Sequence, residues 1–427
     1  MAIQVGRAVA VVTSAQTVGT NIDVNVGFTP TAGQYIVFVF HSGNTNSGDN
    51  VAGVSIVMGW GMGVSATSRC YCCGNSLDAG ASSASSKGAN SDGILGSING
   101  AAIDGRLDFV GEVTNGVRFV VDDQFPVDIR FNVVVIDGLT DVGIFQVLSP
   151  ATALPTSVNH TGAGVDNADL FIFMSAGPLP SLPTAASSLQ LDFGAAHADG
   201  QCAISVVSRN AQPTMSTFHY GTDTECIGLV GVTGAAVERA TFVAAITDGV
   251  TLNWLERQAT NNIHFCAALK GIEATVQSAL TQTDTSTDIV VTGLGNTCLG
   301  GLVVSTCEAE DTQDTPATHH HWSMGSFTGT SNRGAHGTWD ENGTANAETA
   351  TAVEYDEVYA NISSSDAIQG LMDIKSLDSG GATFIMDDAD PAQKWFSAIL
   401  FATPAAAAVV RSRPLNINQA VNRGATY

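Results

Sequence analysis

GRLDFVGEVTNGVRFVVDD (residues 105–123), ERATFVAAITDGVTLNWLE (238–256) and GLMDIKSLDSGGATFIMDD (370–388) align without a gap, about 133 residues apart. Each opens on an apolar segment and turns at Asn115-Gly116, Asp248-Gly249 or Gly380-Gly381. Each then continues with apolar and polar residues in alternation, as in Val250, Leu252 and Trp254 against Thr251 and Asn253. Period-two alternation bounded by Gly and Asn or Asp is the mark of a half-buried antiparallel strand. The three segments close on Asp122/Asp123, Leu255/Glu256 and Asp387/Asp388. A long-period repeat decides the architecture before any single element does. It bears on function too, since a feature that recurs three times belongs to the scaffold sooner than to an active site.

Outward from this core the repeat continues. Each copy is followed by an apolar strand, IRFNVVVIDG (129–138), IHFCAALKG (263–271) or KWFSAILFA (394–402). Each is preceded by an early strand, YIVFVFHSG (35–43), DLFIFMSAG (169–177) or LGGLVVSTC (299–307), and then a glycine-bearing segment, MGWGMG (58–63), DFGAAHADG (192–200) or SMGSFTG (323–329). Four blocks in the same order, three times over, imply one triplicated β-rich module. The closing strands are continuously apolar, which predicts burial on both faces. The expected fold is all-β: three tandem antiparallel β-sandwich or jelly-roll-like repeats over 1–150, 151–276 and 277–403, then an extended arm over 404–427. Helical signals are scarce. The best, ATAVEYDEVYANI (350–362), reads equally as an alternating strand. The Ser-, Gly-, Ala- and Asn-rich stretches 74–93 and 329–348 read as exposed excursions between strands.

Composition narrows the function. The 427 residues are 44% hydrophobic and 13% charged, enough apolar material for folded cores. A net charge of −24 with only 16 Lys and Arg argues against a nucleic-acid partner. The acidity fits solubility and resistance to self-association, with cation binding as the alternative. No stretch reaches the roughly 20 apolar residues that cross a bilayer as a helix. The segment MAIQVGRAVAVVTSAQ lacks a basic leader followed by a long apolar block, so no signal peptide is expected.

No catalytic, metal or cofactor motif stands out. The eight cysteines do not recur at the repeat period, and Cys70, Cys72 and Cys73 are too tightly spaced for a zinc site, so they read as small buried hydrophobes. The acidic pairs and Asp390 read as turn formers, with calcium at loop tips as the alternative. Consecutive residues on a strand face opposite ways, so His319-His320-His321 can offer at most two ligands to one ion. No nucleophile elbow, H-E-x-x-H, phosphate loop or dinucleotide fingerprint is present.

The segment after Thr403 is different in kind: it has no Asp or Glu but carries Arg411, Arg413 and Arg423 before Tyr427. It reads as an anchoring arm for another chain, such as an acidic copy of this one. GFTP (27–30) before an early strand, the GWG block, and DGVTLNW followed by NNIHFCAALKG (248–271) together resemble a repeat found in structural proteins of tailed bacteriophages. Unit two matches its ending best, while units one and three read GVRFVV and GATFIM at the strand. The resemblance implies a non-enzymatic virion component, in the tail or baseplate or decorating the head, assembled in the host cytoplasm with other virion proteins. It carries no catalytic residue across. Two alternatives stand beside it: a receptor- or glycan-binding module using Trp60, Trp322 and Trp339 as exposed aromatics, and a depolymerase whose site is not legible.

Overall fold

The computed structural model describes residues 2–43, 51–53, 55–77, 84–99, 102–151, 154–179, 182, 184–258, 262–309, 314–343, 348–363 and 367–405. Among them there is no helix, and the fold is built from antiparallel sheets. The first lobe begins with β1 (Gln4–Val12), β2 (Asn21–Asn25), β3 (Tyr35–His41), β4 (Val51–Gly53), β5 (Ser55–Ser65) and β6 (Ser68–Leu77). It continues through β7 (Ala84–Asn90), β8 (Leu95–Asn99), β9 (Ala102–Val113), β10 (Gly116–Asp123) and β11 (Ile129–Asp137). One sheet runs β1-β11-β3-β5-β6-β7 and a second β2-β10-β9-β8.

The second lobe repeats this order. It comprises β12 (Asp141–Leu148), β13 (Thr156–Thr161), β14 (Leu170–Ser175), β15 (Thr184–Ser187), β16 (Leu189–His197) and β17 (Gly200–Ser208). Then follow β18 (Thr217–Thr222), β19 (Ile227–Val230), β20 (Ala236–Ile246), β21 (Gly249–Glu256) and β22 (Ile263–Lys270). Its sheets are β12-β22-β14-β16-β17-β18 and β13-β21-β20-β19.

The third lobe uses β23 (Glu273–Leu280), β24 (Ile289–Ser305), β25 (Ala317–Thr318), β26 (His320–Phe327) and β27 (Arg333–Asp340). It ends with β28 (Thr349–Glu354), β29 (Tyr359–Ile362), β30 (Ile368–Asp388) and β31 (Trp395–Ala402). Its large sheet is β23-β31-β24-β26-β27-β28, and β24, β30 and β29 form the smaller one. The long β24 serves both sheets, pairing with β30 near its start and with β26 and β31 near its end.

Each lobe is sandwich-like, with a hydrophobic core between its two sheets. In the first, Val37, Val39, Val133 and Val135 meet Leu107, Phe109, Val117 and Phe119. A larger core then joins the other faces of all three large sheets. Phe40, Met58 and Trp60 meet Met174, Leu191 and Phe193 from the second lobe and Val304, Trp322 and Met324 from the third. The large sheets are therefore covered on both faces, and β3, β14 and β31 are buried at every residue. The small sheets face solvent on one side, which is why β10 and β21 alternate. Each fully buried Leu, Phe or Met contributes roughly 1.5–3 kcal/mol of hydrophobic stabilisation.

Backbone pairing closes the lobes into a ring. The second lobe's β15 pairs with β7 of the first, the third lobe's β25 with β18 of the second, and the first lobe's β4 with β28 of the third. Each donated strand precedes the second strand of its own lobe's meander, so the donation is cyclic. It also covers the free edges on which unwanted pairing would start.

Matching residues meet at the centre. Gly61, Gly194 and Gly325 pair with Tyr71, Ala203 and Ala335, and counting five residues on in each strand gives Ser76, Ser208 and Asp340. The hydroxyls of Ser76 and Ser208 both donate to Asp340 Oδ2, at 2.7 and 2.6 Å. Ser85 Oγ donates to the Ser208 carbonyl at 2.7 Å, and Thr217 Oγ1 repeats that step to the Asp340 carbonyl at 3.0 Å.

Glycines let strands and sheets within each lobe approach closely. A Cβ on Gly116, Gly249 or Gly381 would overlap the carbonyl oxygen of Val24, His160 or Val291. One on Gly61, Gly194 or Gly325 would overlap that of Ile94, Cys226 or Val358. The residues before the first set, Asn115, Asp248 and Gly380, all have positive φ, at 62°, 61° and 98°. Gly194→Ala and Gly249→Ala will therefore each cost about 1–3 kcal/mol through overpacking. Gly329→Ala, with open space around it, will stay within about 0.5 kcal/mol. Urea midpoints at unchanged slope are the readout.

Two sequence expectations change. The stretches at 74–93 and 329–348 are not wholly exposed excursions: the first contains the end of β6 and all of β7, the second all of β27. Ser85, Ser86, Lys87 and Asn90 are buried where β15 pairs alongside β7. Small polar residues suit such a junction because two lobes meet there at short range. In 350–362 the strand reading holds, as β28 and β29.

Candidate functional site

The aromatic residues expected to meet a glycan lie inside the protein. Trp60 is 2% exposed and Trp322 0%, with ring centroids 5.5 Å apart, and Phe193 packs edge-on to Trp60 at 6.1 Å. Trp339 is 7% exposed and stacks on His319. These indoles are core residues rather than contact residues, because the strands that carry them are covered on both faces. Arg411, Arg413, Arg423 and Tyr427 lie outside the described residues.

Asp122 pairs with Arg106, and buried Asp390 accepts hydrogen bonds from Tyr359 and Asn361. Buried His320 places Nδ1 3.2 Å from Ser208 Oγ and Nε2 2.8 Å from Thr338 Oγ1. The eight cysteines are all free and buried. Among the described residues no group of three or more His, Cys, Asp and Glu is arranged to hold a metal ion.

Chemistry concentrates where the second lobe departs from the repeat. His264 stands at the position of Phe131 and Phe396, Glu238 at that of Gly105 and Gly370, and Asp192 at that of Gly59 and Ser323. All three substituted residues are fully buried. His264 Nε2 lies 3.0 Å from Glu238 Oε2 and Nδ1 3.5 Å from Asp192 Oδ2. Asn262 Nδ2 donates to the same Glu238 oxygen at 2.8 Å, and the Ser175 hydroxyl donates to Asp192. Burial works to lower the His264 pKa, but the two carboxylates outweigh it and raise it to about 10. The imidazolium therefore bridges two carboxylates. All three side chains are closed off from solvent.

Beside it, at the junction of the first two lobes, lies a cavity of about 330 Å3 lined by Lys87, Ser187, Ser188, Gln190, Thr233 and Gln258, among others. Lys87 comes from β7 and is 4% exposed, and its Nζ donates to Gln190 Oε1 at 2.8 Å. Gln190 is held in turn by its Nε2 donating to the Val230 carbonyl at 2.7 Å. Burial drives the Lys87 amine down to about 7, with Glu238 opposing. Gly177, at φ 68°, leaves the room: a Cβ there would sit 2.6 Å from Lys87 Nζ. At the matching places the other junctions carry His219, which pairs with Glu308, and Thr351. Among the described residues, the matching positions at the other two junctions thus carry no amine.

Composition offered one signal for this site. The chain has only four lysines, and Lys87 is the one that is buried. Compared with known proteins, the chain matches no protein-family model and no curated sequence.

Proposed function

We propose that this chain is a non-enzymatic structural protein of a bacteriophage virion, associated with the tail or baseplate or decorating the head. The observation that carries the reading is the cyclic exchange of β4, β15 and β25, by which one chain closes on itself as a three-lobed body. Such a body resists local unfolding and caps three sheet edges with strands of two to four residues, which suits a passive building block exposed on a particle. The sequence resemblance to tailed-phage repeats points the same way, and a net charge of −24 keeps the body soluble until it is assembled. In this reading residues 404–427, the basic arm, anchor it to other virion proteins or to an acidic copy of itself. The glycan-binding alternative loses its main support with the burial of Trp60, Trp322 and Trp339.

Immuno-gold labelling of intact particles tests the placement, with regular decoration of head or tail expected and unlabelled particles contradicting it. Deleting residues 405–427 is expected to leave the thermal transition unchanged and to remove the protein from purified particles. Undiminished incorporation would refute the anchoring role.

A further inference from the structure

We infer that the cavity between the first and second lobes is a carbonyl-binding site, in which Lys87 forms an imine with a small polyhydroxy aldehyde or ketone such as an open-chain sugar. The inference is independent of the virion reading. A volume of about 330 Å3 lies at the lower end of the ~300–1,000 Å3 range of small-molecule sites, so the ligand is small. Ser187, Ser188, Thr233 and Gln258 line it beside Pro178, Val232 and Val237, a mixed wall with neutral polar residues for ligand hydroxyls and no carboxylate. Among the described residues no carboxylate lies within ion-pair distance of Lys87; its Nζ is held by the neutral Gln190 amide.

Burial favours the uncharged amine near neutral pH, which is the nucleophilic form. The Nζ lone pair adds to the carbonyl carbon. A C=N bond then replaces the C=O bond, and the oxygen leaves as water with the two amine hydrogens. No oxidant or reductant is consumed. The scaffold does not need a lysine here, since the matching junctions close with His219 and Thr351.

The test uses the full-length native protein with glyceraldehyde and cyanoborohydride across pH 6 to 9. Peptide mass spectrometry follows the adduct on Lys87, Lys270, Lys375 and Lys394. At pH 7 an ordinary lysine is less than about 0.1% neutral, so Lys87 is expected to label at least about tenfold faster than the other three. In denaturing urea that preference is expected to vanish. Labelling of Lys87 no faster than the others in the folded protein overturns the inference. So does a preference that survives in urea, because it would come from local sequence and not from the cavity.

Discussion

Replacing His264 by phenylalanine, the residue at that position in the other two lobes, will destabilise the protein by about 3–5 kcal/mol. The cause is not lost packing, since Phe131 and Phe396 fit their sites. It is that Asp192 and Glu238 stay buried without the cation between them. The variant Asp192→Ser, Glu238→Gly, His264→Phe removes the whole network and is expected to recover most of that loss, because a buried ion triad exchanged for apolar or small residues is often neutral or better. Urea unfolding of the two variants measures this non-additivity. A single variant as stable as wild type would mean that the network carries no buried charge.

The same site predicts a pH dependence. His264 has a folded pKa raised from 6.5 to about 10. Its contribution is fully present below pH 6.5 and is lost as pH rises through about 10. Lys87 has a folded pKa lowered from 10.5 to about 7, so its contribution is present above pH 10.5 and is lost as pH falls through about 7. Between about pH 7 and 10 the two slopes oppose each other in the wild-type protein. Lys87→Met exposes the His264 slope, with stability falling as pH rises. The triple variant exposes the Lys87 slope, with stability rising. Parallel profiles in all three proteins would show that neither group titrates as described.

The second large effect lies at the centre of the ring. Trp60→Ala and Trp322→Ala will each cost about 3–5 kcal/mol, the range for emptying a fully packed aromatic site. A glycan-contacting surface tryptophan would cost no more than about 0.5 kcal/mol. Because the two rings touch, the double variant will depart from additivity by about 0.5–1.5 kcal/mol. Both rings belong to a core shared by three lobes, so calorimetry is expected to show one shifted transition. Separate melting of individual lobes would show that the shared core does not couple them.

The repeat was legible because its signals are local. The turns at Asn115-Gly116 and Asp248-Gly249, the alternating strands and the continuously apolar closing strands each report on their own backbone and faces. Even the bulges recur: the first and second lobes break register between Arg118 and Phe119 and between Phe242 and Ala244, leaving Val110 and Val243 exposed. The donated strands were not legible. They run only two to four residues, and β7, ASSKGAN, the edge that accepts β15, has no hydrophobic alternation because part of its cover comes from another lobe.

The same limit misplaced Trp60, Trp322 and Trp339. Period-two patterning says which residues share a face, but it does not say that a third layer covers the outer one. The Lys87 site depends on two lobes meeting and on departures from the repeat. The match of His264 to Phe131 and Phe396 comes from strand register; in the aligned closing blocks His264 falls opposite Arg130 and Trp395, so the departure was hidden.

Small-angle X-ray scattering of the monomer, with mass checked on the same column fraction, tests ring closure most directly. Three lobes closed about a shared core predict a radius of gyration of about 22 Å for a compact chain of this length. Three separate lobes strung in a row, each of about 14 Å, would give roughly 30 Å or more, and that result would contradict the closed ring.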